Sequence, residues 1–466
     1  MIADLQDLSA RQIAGGVSGR RFTATAVAEA FLERIEALNP RVNAFTLVTA
    51  DRALAEAARV DASIAAGEDP GPLAGAPYGV KNLFDLEGEV TVAGSKINRD
   101  DPPAAGDATL VARLAKAGAV CLGATNMGEY AYDFVTINAH DGATRNPHDL
   151  SRSAGGSSGG SGAAVAAGMA AFTLGTDTNG SVRVPSSFCG VWGLKPTYSL
   201  LSRAGVYPFV PSLDTVGTFA RSVADLARSL DVMVGPDPRD PDCGRVQAPP
   251  SEPEMELGAS GLRVATLGGY FARGCAPQLA AAIASVADAL GSGPALELLR
   301  PDVARGAAFT ITAAEAGEFH RHRLATRAAD FDPASRDRFI AGLLAPAAWY
   351  IKAQRFRDWW KGEVARIFQD VDVLIAPATP MVAPGLEEQT FDFDGATLPL
   401  RANIGLFTQP ITLVGLPVLA APIHRRGQMP TAVQLIGRPN SEAILLRVAW
   451  ELEQKGVCNA PLGSAA

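Results

Sequence analysis

Two serine-bearing segments and one lysine are the groups best placed to do covalent chemistry. The first segment is Ser153-Ala-Gly-Gly-Ser157-Ser158-Gly-Gly-Ser-Gly162, which runs into Ala163-Ala-Val-Ala-Ala-Gly-Met-Ala-Ala-Phe-Thr-Leu174. The second is Gly175-Thr-Asp177-Thr178-Asn179-Gly180-Ser181-Val-Arg183-Val-Pro185. The lysine, Lys81, lies in the apolar run Leu73-Ala-Gly-Ala-Pro-Tyr-Gly-Val-Lys-Asn-Leu-Phe-Asp85. A serine hydroxyl attacks a poor electrophile such as an amide only when a base takes its proton. Of the histidines, only His424 is late enough to serve a hydrolase triad, and it sits beside Arg425-Arg426-Gly427 in what reads as a loop. A neutral lysine is the remaining candidate base. Its side chain must then be shifted down by about two to three pH units, roughly 3–4 kcal/mol of environment. An apolar run provides that setting, although any single lysine at a strand end is more often a surface residue.

Other readings of the Gly/Ser stretch fit less well. A flexible linker would not lead straight into an Ala/Val-rich stretch that must be buried. A phosphate-binding loop needs Lys-Ser or Lys-Thr after its last glycine, and none follows. Gly155-Gly-Ser157-Ser-Gly159 satisfies GxSxG, but in so Gly- and Ser-rich a run the match carries little information, and that fold needs a late histidine.

The flanking elements read as alternating helices and strands. Val27, Ala28, Phe31, Leu32, Ile35 and Leu38 recur at helical spacing, with Pro40 closing the segment. Residues 48–66 read as a second helix ended by Gly67, and 73–85 as a strand carrying Lys81 near its end. A helix over 108–118 and a strand over 119–123 follow; 163–174 reads most simply as a helix packed on a sheet. Further on come a surface loop at 235–257, strands at 262–267, 371–377 and 417–422, and helices at 276–291 and about 346–369. This alternation predicts an α/β fold. Its expected form is a twisted, mixed central β-sheet covered by helices on both faces, one domain over 1–466 with the helices of 1–70 packed on the core.

Composition agrees with a large buried core. The 466 residues are 47% hydrophobic and only 19% charged, which excludes a disordered chain. The net charge of −8, with no basic stretch, argues against a nucleic-acid partner. Cys121, Cys189, Cys243, Cys275 and Cys458 are odd in number, widely spaced and without CxxC, so neither a disulfide framework nor a zinc site is expected. No signal-peptide pattern or run of about 18 apolar residues is visible, so a cytoplasmic protein without membrane contact is expected.

The three chemical segments together resemble the amidase signature family. Its hallmark is a Gly-Gly-Ser-Ser-Gly-Gly-Ser stretch with a second reactive serine 24 residues on, the interval from Ser157 to Ser181. Its lysine lies in a Gly-x-Pro-x-x-Val-Lys segment, matched by Gly75-Ala-Pro77-Tyr-Gly-Val80-Lys81. Leu194-Lys-Pro196 and Thr125-Asn-Met-Gly-Glu-Tyr-Ala131 also look like family segments, and the likeness runs from about residue 20 to the C-terminus. The resemblance implies an amidase-signature fold and an acyl-enzyme mechanism without metal or organic cofactor. It implies Ser181 as nucleophile, and Ser157, preceded by a cis peptide, passing the proton to Lys81. Backbone N–H groups of Thr178, Asn179, Gly180 and Ser181 would form the oxyanion hole, with Ser158, Asp177 and Arg183 holding the loop. The chain departs from many relatives in having Asn179 where they have Gly and Asn82 where they have Asp.

Longer stretches, among them Ala93-Gly-Ser-Lys-Ile-Asn98, Thr144-Arg-Asn-Pro-His-Asp149 and Ala347-Ala-Trp-Tyr-Ile-Lys-Ala-Gln-Arg-Phe-Arg357, look most like the branch of the family that deaminates 1-carboxybiuret in s-triazine and cyanuric acid breakdown. By resemblance to the glutamine-hydrolysing component of the tRNA-dependent amidotransferases, Arg357 is the expected anchor for a substrate carboxylate. Those proteins also place an acid before a Thr-x-Pro segment to hold an amine; Arg401-Ala-Asn-Ile-Gly-Leu-Phe-Thr408-Gln-Pro410 has none. The expected substrate is therefore a small amide of the ureido-carboxylate class. The resemblance further implies a small helical partner subunit like the small helical component of the amidotransferases, in a homo- or hetero-oligomer. The alternatives are the glutamine-hydrolysing component of a tRNA-dependent amidotransferase, a general aliphatic amidase, or an inactive scaffold protein of the same fold.

Overall fold

The structure, a computed structural model, describes residues 5–244 and 250–465. Strand-forming runs recur along almost the whole chain, and they join one sheet. These are β1 (Phe45–Val48), β2 (Pro77–Lys81), β3 (Val120–Thr125), β4 (Phe172–Asp177), β5 (Trp192–Lys195), β6 (Thr215–Ala220), β7 (Val264–Leu267), β8 (Gly293–Leu296), β9 (Val373–Pro377), β10 (Val418–Ile423) and β11 (Thr431–Gly437). The order across the eleven-stranded sheet is β1-β3-β2-β4-β6-β5-β10-β11-β9-β7-β8. Pairing is parallel for β3-β2-β4 and for β9-β7-β8, and antiparallel between and at the β1 edge. Every residue of β2, β3, β4, β6, β9, β10 and β11 is buried, so these strands read as continuous runs of small and apolar residues rather than as alternations. Helices flank the sheet, giving the mixed α/β architecture expected from the sequence.

The N-terminal helices Ala10–Ser18, Ala24–Val42 and Ala50–Ala66 are tied together by polar contacts as well as by apolar faces. Ser9 and Gln12 form a capping box on the first, and Asp61 accepts from the backbone of Ala24 and Thr25 at the start of the second. Gly67 ends the third in the left-handed region, at φ +77°. Pro40 does not close its helix: one further turn is completed to Val42 and capped by left-handed Asn43.

Two expectations are corrected. The stretch 163–174 is not one helix. The helix Gly159–Ala166 stops, a turn follows, and Phe172–Asp177 is β4. Short buried apolar runs do not distinguish the two states by pattern. The segment 235–257 is more than a surface loop, although its residues 245–249 lie outside those described. Asp237 accepts from Thr109 and Ser202, Asp240 pairs with Arg203, and Met255 is buried in the short helix Glu252–Met255.

The glycines before β4 serve close packing. A Cβ on Gly156 would lie 2.6 Å from the Val135 nitrogen, and one on Gly160 would lie 2.5 Å from the Ala44 and Asn126 carbonyl oxygens. The Gly/Ser run is thus pressed against backbone on its outer side and the sheet on its inner side.

Candidate active site

Because β2 and β4 are parallel neighbours, they end at the same side of the sheet, with Val80 opposite Leu174. Lys81, the last residue of β2, is fully buried there. Its Nζ donates to Ser157 Oγ (2.8 Å) and to Thr176 Oγ1 (2.9 Å). The Gly156–Ser157 peptide is cis, and Ser157 itself is fully buried. Burial pulls the Lys81 ammonium down from 10.5 to about 7, against the opposing pull of the Asp214 and Asp177 carboxylates. A lysine at that value is substantially neutral in ordinary buffers and can accept a proton. The expected consequence is an amidase rate, kcat/KM, that rises as pH increases through about 7 and then levels off. A profile already flat across about pH 5 to 9 would remove Lys81 from the base role.

The turn after β4 is fixed by one buried ion pair. Arg183 donates to Asp177 through Nε and Nη2, both at 2.9 Å, and both residues are fully buried. The remaining Arg183 donors reach Thr408 O (3.1 Å), Gln434 Oε1 (2.7 Å) and Thr412 Oγ1. Burial alone would raise the Asp177 carboxyl, but Arg183 outweighs it and the net shift is downward. Asp177 also accepts from the N–H groups of Gly180 (2.8 Å) and Val182 (3.1 Å), folding the turn over its own carboxylate. Gly180 needs φ +135°, and a Cβ there would meet Thr408 Cβ at 2.8 Å. Ser158 is held to Thr176, its Oγ donating to the carbonyl at 3.1 Å. Thr178 Oγ1 donates to Asp214 (2.5 Å).

This geometry revises the expected oxyanion hole. The Gly180 N–H is committed to Asp177. Among the described residues, the N–H groups of Thr178, Asn179 and Ser181 donate to no other protein group, so these three are the candidate oxyanion donors.

Ser181, 4% exposed, opens onto a cavity of about 300 Å³ lined also by Thr178, Asn179, Tyr132, Asp133, Phe209, Phe309, Thr312, Arg338 and Gln409. None of the histidines lines it, and no cluster of His, Cys, Asp and Glu suited to a metal occurs among the described residues. The cation of this cavity is Arg338. Its Nη1 donates to the Tyr132 carbonyl (2.7 Å), and its guanidinium lies 3.7 Å from the Tyr132 ring centroid. No carboxylate lies within ion-pairing distance of Arg338 among the described residues.

Arg357 is placed elsewhere. It donates to Leu413 O (2.7 Å) and Ser212 O (2.8 Å) and borders a separate groove with Tyr198, Lys361 and Arg438. It braces two loops instead of facing Ser181. Nor is the pocket free of acids, as the 401–410 segment had suggested: Asp133 lines it. Sequence reasoning missed Arg338 and Asp133 because neither sits in a motif. Asp133 follows directly after the family-like segment ending at Ala131, the only signal that could have drawn attention to it.

The amidase family profile matches residues 26–446. The chain belongs to the amidase family. This amidase is 50% identical to AtzE, the 1-carboxybiuret hydrolase protein of Pseudomonas sp. (strain ADP), over 96% of this chain and 98% of that one. It is 38% identical to the GatA-type component of glutamyl-tRNA(Gln) amidotransferase from Carboxydothermus hydrogenoformans, over 97% and 98%. Among solved structures it matches an s-triazine catabolic enzyme described from a vestigial protein complex, with TM-score 0.96 and 49% identity over 97% of this chain and 99% of that chain. It also matches 6-aminohexanoate cyclic dimer hydrolase, with TM-score 0.87 and 29% identity over 99% and 100%. This amidase is therefore a hydrolase of C–N bonds other than peptide bonds, acting on small amides. Among the described residues, no helix is long and apolar enough to cross a membrane.

Proposed function

We propose that this amidase, with its whole chain acting as one unit, deaminates 1-carboxybiuret or a close ureido-carboxylate through an acyl-enzyme on Ser181. Ser181 Oγ attacks the carbonyl carbon as its proton passes by way of Ser157 to neutral Lys81. The oxygen that becomes negative is met by the N–H groups of Thr178, Asn179 and Ser181. The C–N bond breaks, Lys81 returns the proton to the leaving nitrogen, and ammonia departs. Water then attacks the acyl carbon and restores Ser181. The observation that carries the substrate class is Arg338, a cation without a carboxylate partner in the small cavity that contains Ser181. A guanidinium binds a planar carboxylate through paired, charge-assisted hydrogen bonds. The half-identical Pseudomonas relative supports the same substrate.

The deciding assay is ammonia release from freshly generated 1-carboxybiuret, with Ser181→Ala protein as blank. Release by the unmodified enzyme alone is expected. Release from glutamine or a simple aliphatic amide, and none from 1-carboxybiuret, would overturn the substrate while leaving the chemistry. Arg338→Met is expected to lower kcat/KM on 1-carboxybiuret by about 30- to 100-fold, chiefly through KM. An unchanged KM would move the anchor elsewhere.

A cytoplasmic setting fits the free cysteines, all five of which are unbridged. A small helical partner subunit fits the relative's vestigial complex and the exposure of Leu344 (78%) and Trp349 (63%). Mass measurement of the enzyme with and without such a co-expressed partner tests that pairing; two separate species would dismiss it.

A further inference from the structure

We propose that the Ser181 cavity selects ureides by accepting their N–H groups on Asn179 Oδ1 and Asp133 Oδ2; this rests on the amidase site and substrate class proposed above. Both atoms are buried acceptors without a hydrogen-bond partner, and both residues line the cavity. Their other polar atoms are occupied. Asn179 Nδ2 donates to Thr312 Oγ1 at 2.9 Å, which fixes the carboxamide and leaves its oxygen unspent. Asp133 Oδ1 accepts from the Phe134 N–H (2.7 Å) and from Arg401 Nη1 (3.3 Å), which leaves Oδ2 unspent. The Asp133 side chain is 8% exposed and Asn179 is 8% exposed, so neither acceptor can turn freely into bulk water.

A buried acceptor left unsatisfied carries its full desolvation cost, and a ligand that offers it an N–H removes that cost. An aliphatic amide offers N–H only at the bond to be cut. A ureide carries additional N–H groups along its backbone, spaced between its carbonyls. With Arg338 holding a carboxylate at one end and Ser181 facing a carbonyl carbon, the intervening N–H groups have acceptors in the cavity wall. Replacing such an N–H by CH₂ leaves the acceptors unpaired. Discrimination of this kind is much larger than that from a missing methylene. Asp133 contributes the stronger half because its acceptor is charged.

N-carbamoylglycine and succinamate test this, because they share a carboxylate and a terminal carboxamide and differ by N–H against CH₂. Calorimetric binding to the Ser181→Ala protein, which does not depend on turnover, is expected to favour N-carbamoylglycine by at least about tenfold. That ratio should fall several-fold in Ser181→Ala carrying Asn179→Ala, and again in Ser181→Ala carrying Asp133→Asn. Equal affinity for the two ligands, no binding of N-carbamoylglycine, or a ratio that survives both substitutions overturns the inference. Should either variant misfold, the ratio in the Ser181→Ala parent decides. Failure of the enzyme to release ammonia from 1-carboxybiuret, with the binding ratio intact, would instead overturn the substrate reading.

Discussion

Lys81→Met is expected to lower amide turnover by about 10⁴-fold or more and, at neutral pH, to make the protein more stable. The loss of turnover follows from removing the only base on the serine relay. The gain in stability follows from burial. In the folded chain the ammonium titrates near 7, against 10.5 for the free side chain. Between those values the unfolded chain binds more protons, so stability rises with pH across that window. At pH 7 and below, the native enzyme carries nearly the whole cost, on the order of a few kcal/mol. Methionine fills a similar volume without charge. It forfeits two hydrogen bonds, to Ser157 and Thr176, each worth about 1 kcal/mol. The desolvation term is larger, so the net effect is stabilising at pH 7 and vanishes above about pH 10.5. Ammonia release measures the first half and thermal unfolding at several pH values the second. A variant less stable at pH 7 would mean that Lys81 is held neutral at little cost.

Arg183→Met is expected to do the reverse, costing about 3–5 kcal/mol of stability as well as activity. It strands the fully buried Asp177 carboxylate, which then has only N–H donors. In the native protein the lowered Asp177 carboxyl contributes stability that is present above about pH 4 and lost as pH falls through its folded value. Without Arg183, burial becomes the dominant influence and raises the carboxyl, so the pH dependence near 4 changes sign. Pairing Arg183→Met with Asp177→Leu should cost less than the sum of the single changes. Denaturant unfolding of the cycle provides the numbers; simple additivity would show that the two charges are not coupled.

Much of this site was legible in the sequence because its elements are local. Lys81 ends a strand whose burial follows from an unbroken apolar run, and Gly67 ends its helix where a left-handed residue is needed. The serine segments are legible because glycine is forced there by close backbone approach. The pocket wall was not legible. Phe309, Thr312 and Arg338 come from the helices Pro301–Phe319 and Pro333–Leu343, whose sequences carry no motif and whose approach to Ser181 depends on packing between distant segments. Arg357 illustrates the converse. A motif-like segment marked it correctly as a buried cation, but whether it meets substrate or backbone is decided by Ser212 and Leu413, far away in sequence.

The strand order also governs how this protein can be made on a ribosome. β5 lies inside the sheet only because β10, more than 200 residues later, covers one of its edges. Until residues 418–437 emerge, the nascent chain holds an unpaired, fully buried-type strand edge, the kind of surface that recruits other chains. The same late residues bring Gln434 to Arg183, and Thr408 reaches Asn179 only shortly before them. Catalytic competence and protection from aggregation are therefore acquired in a single late event, and a chain interrupted before that point has neither.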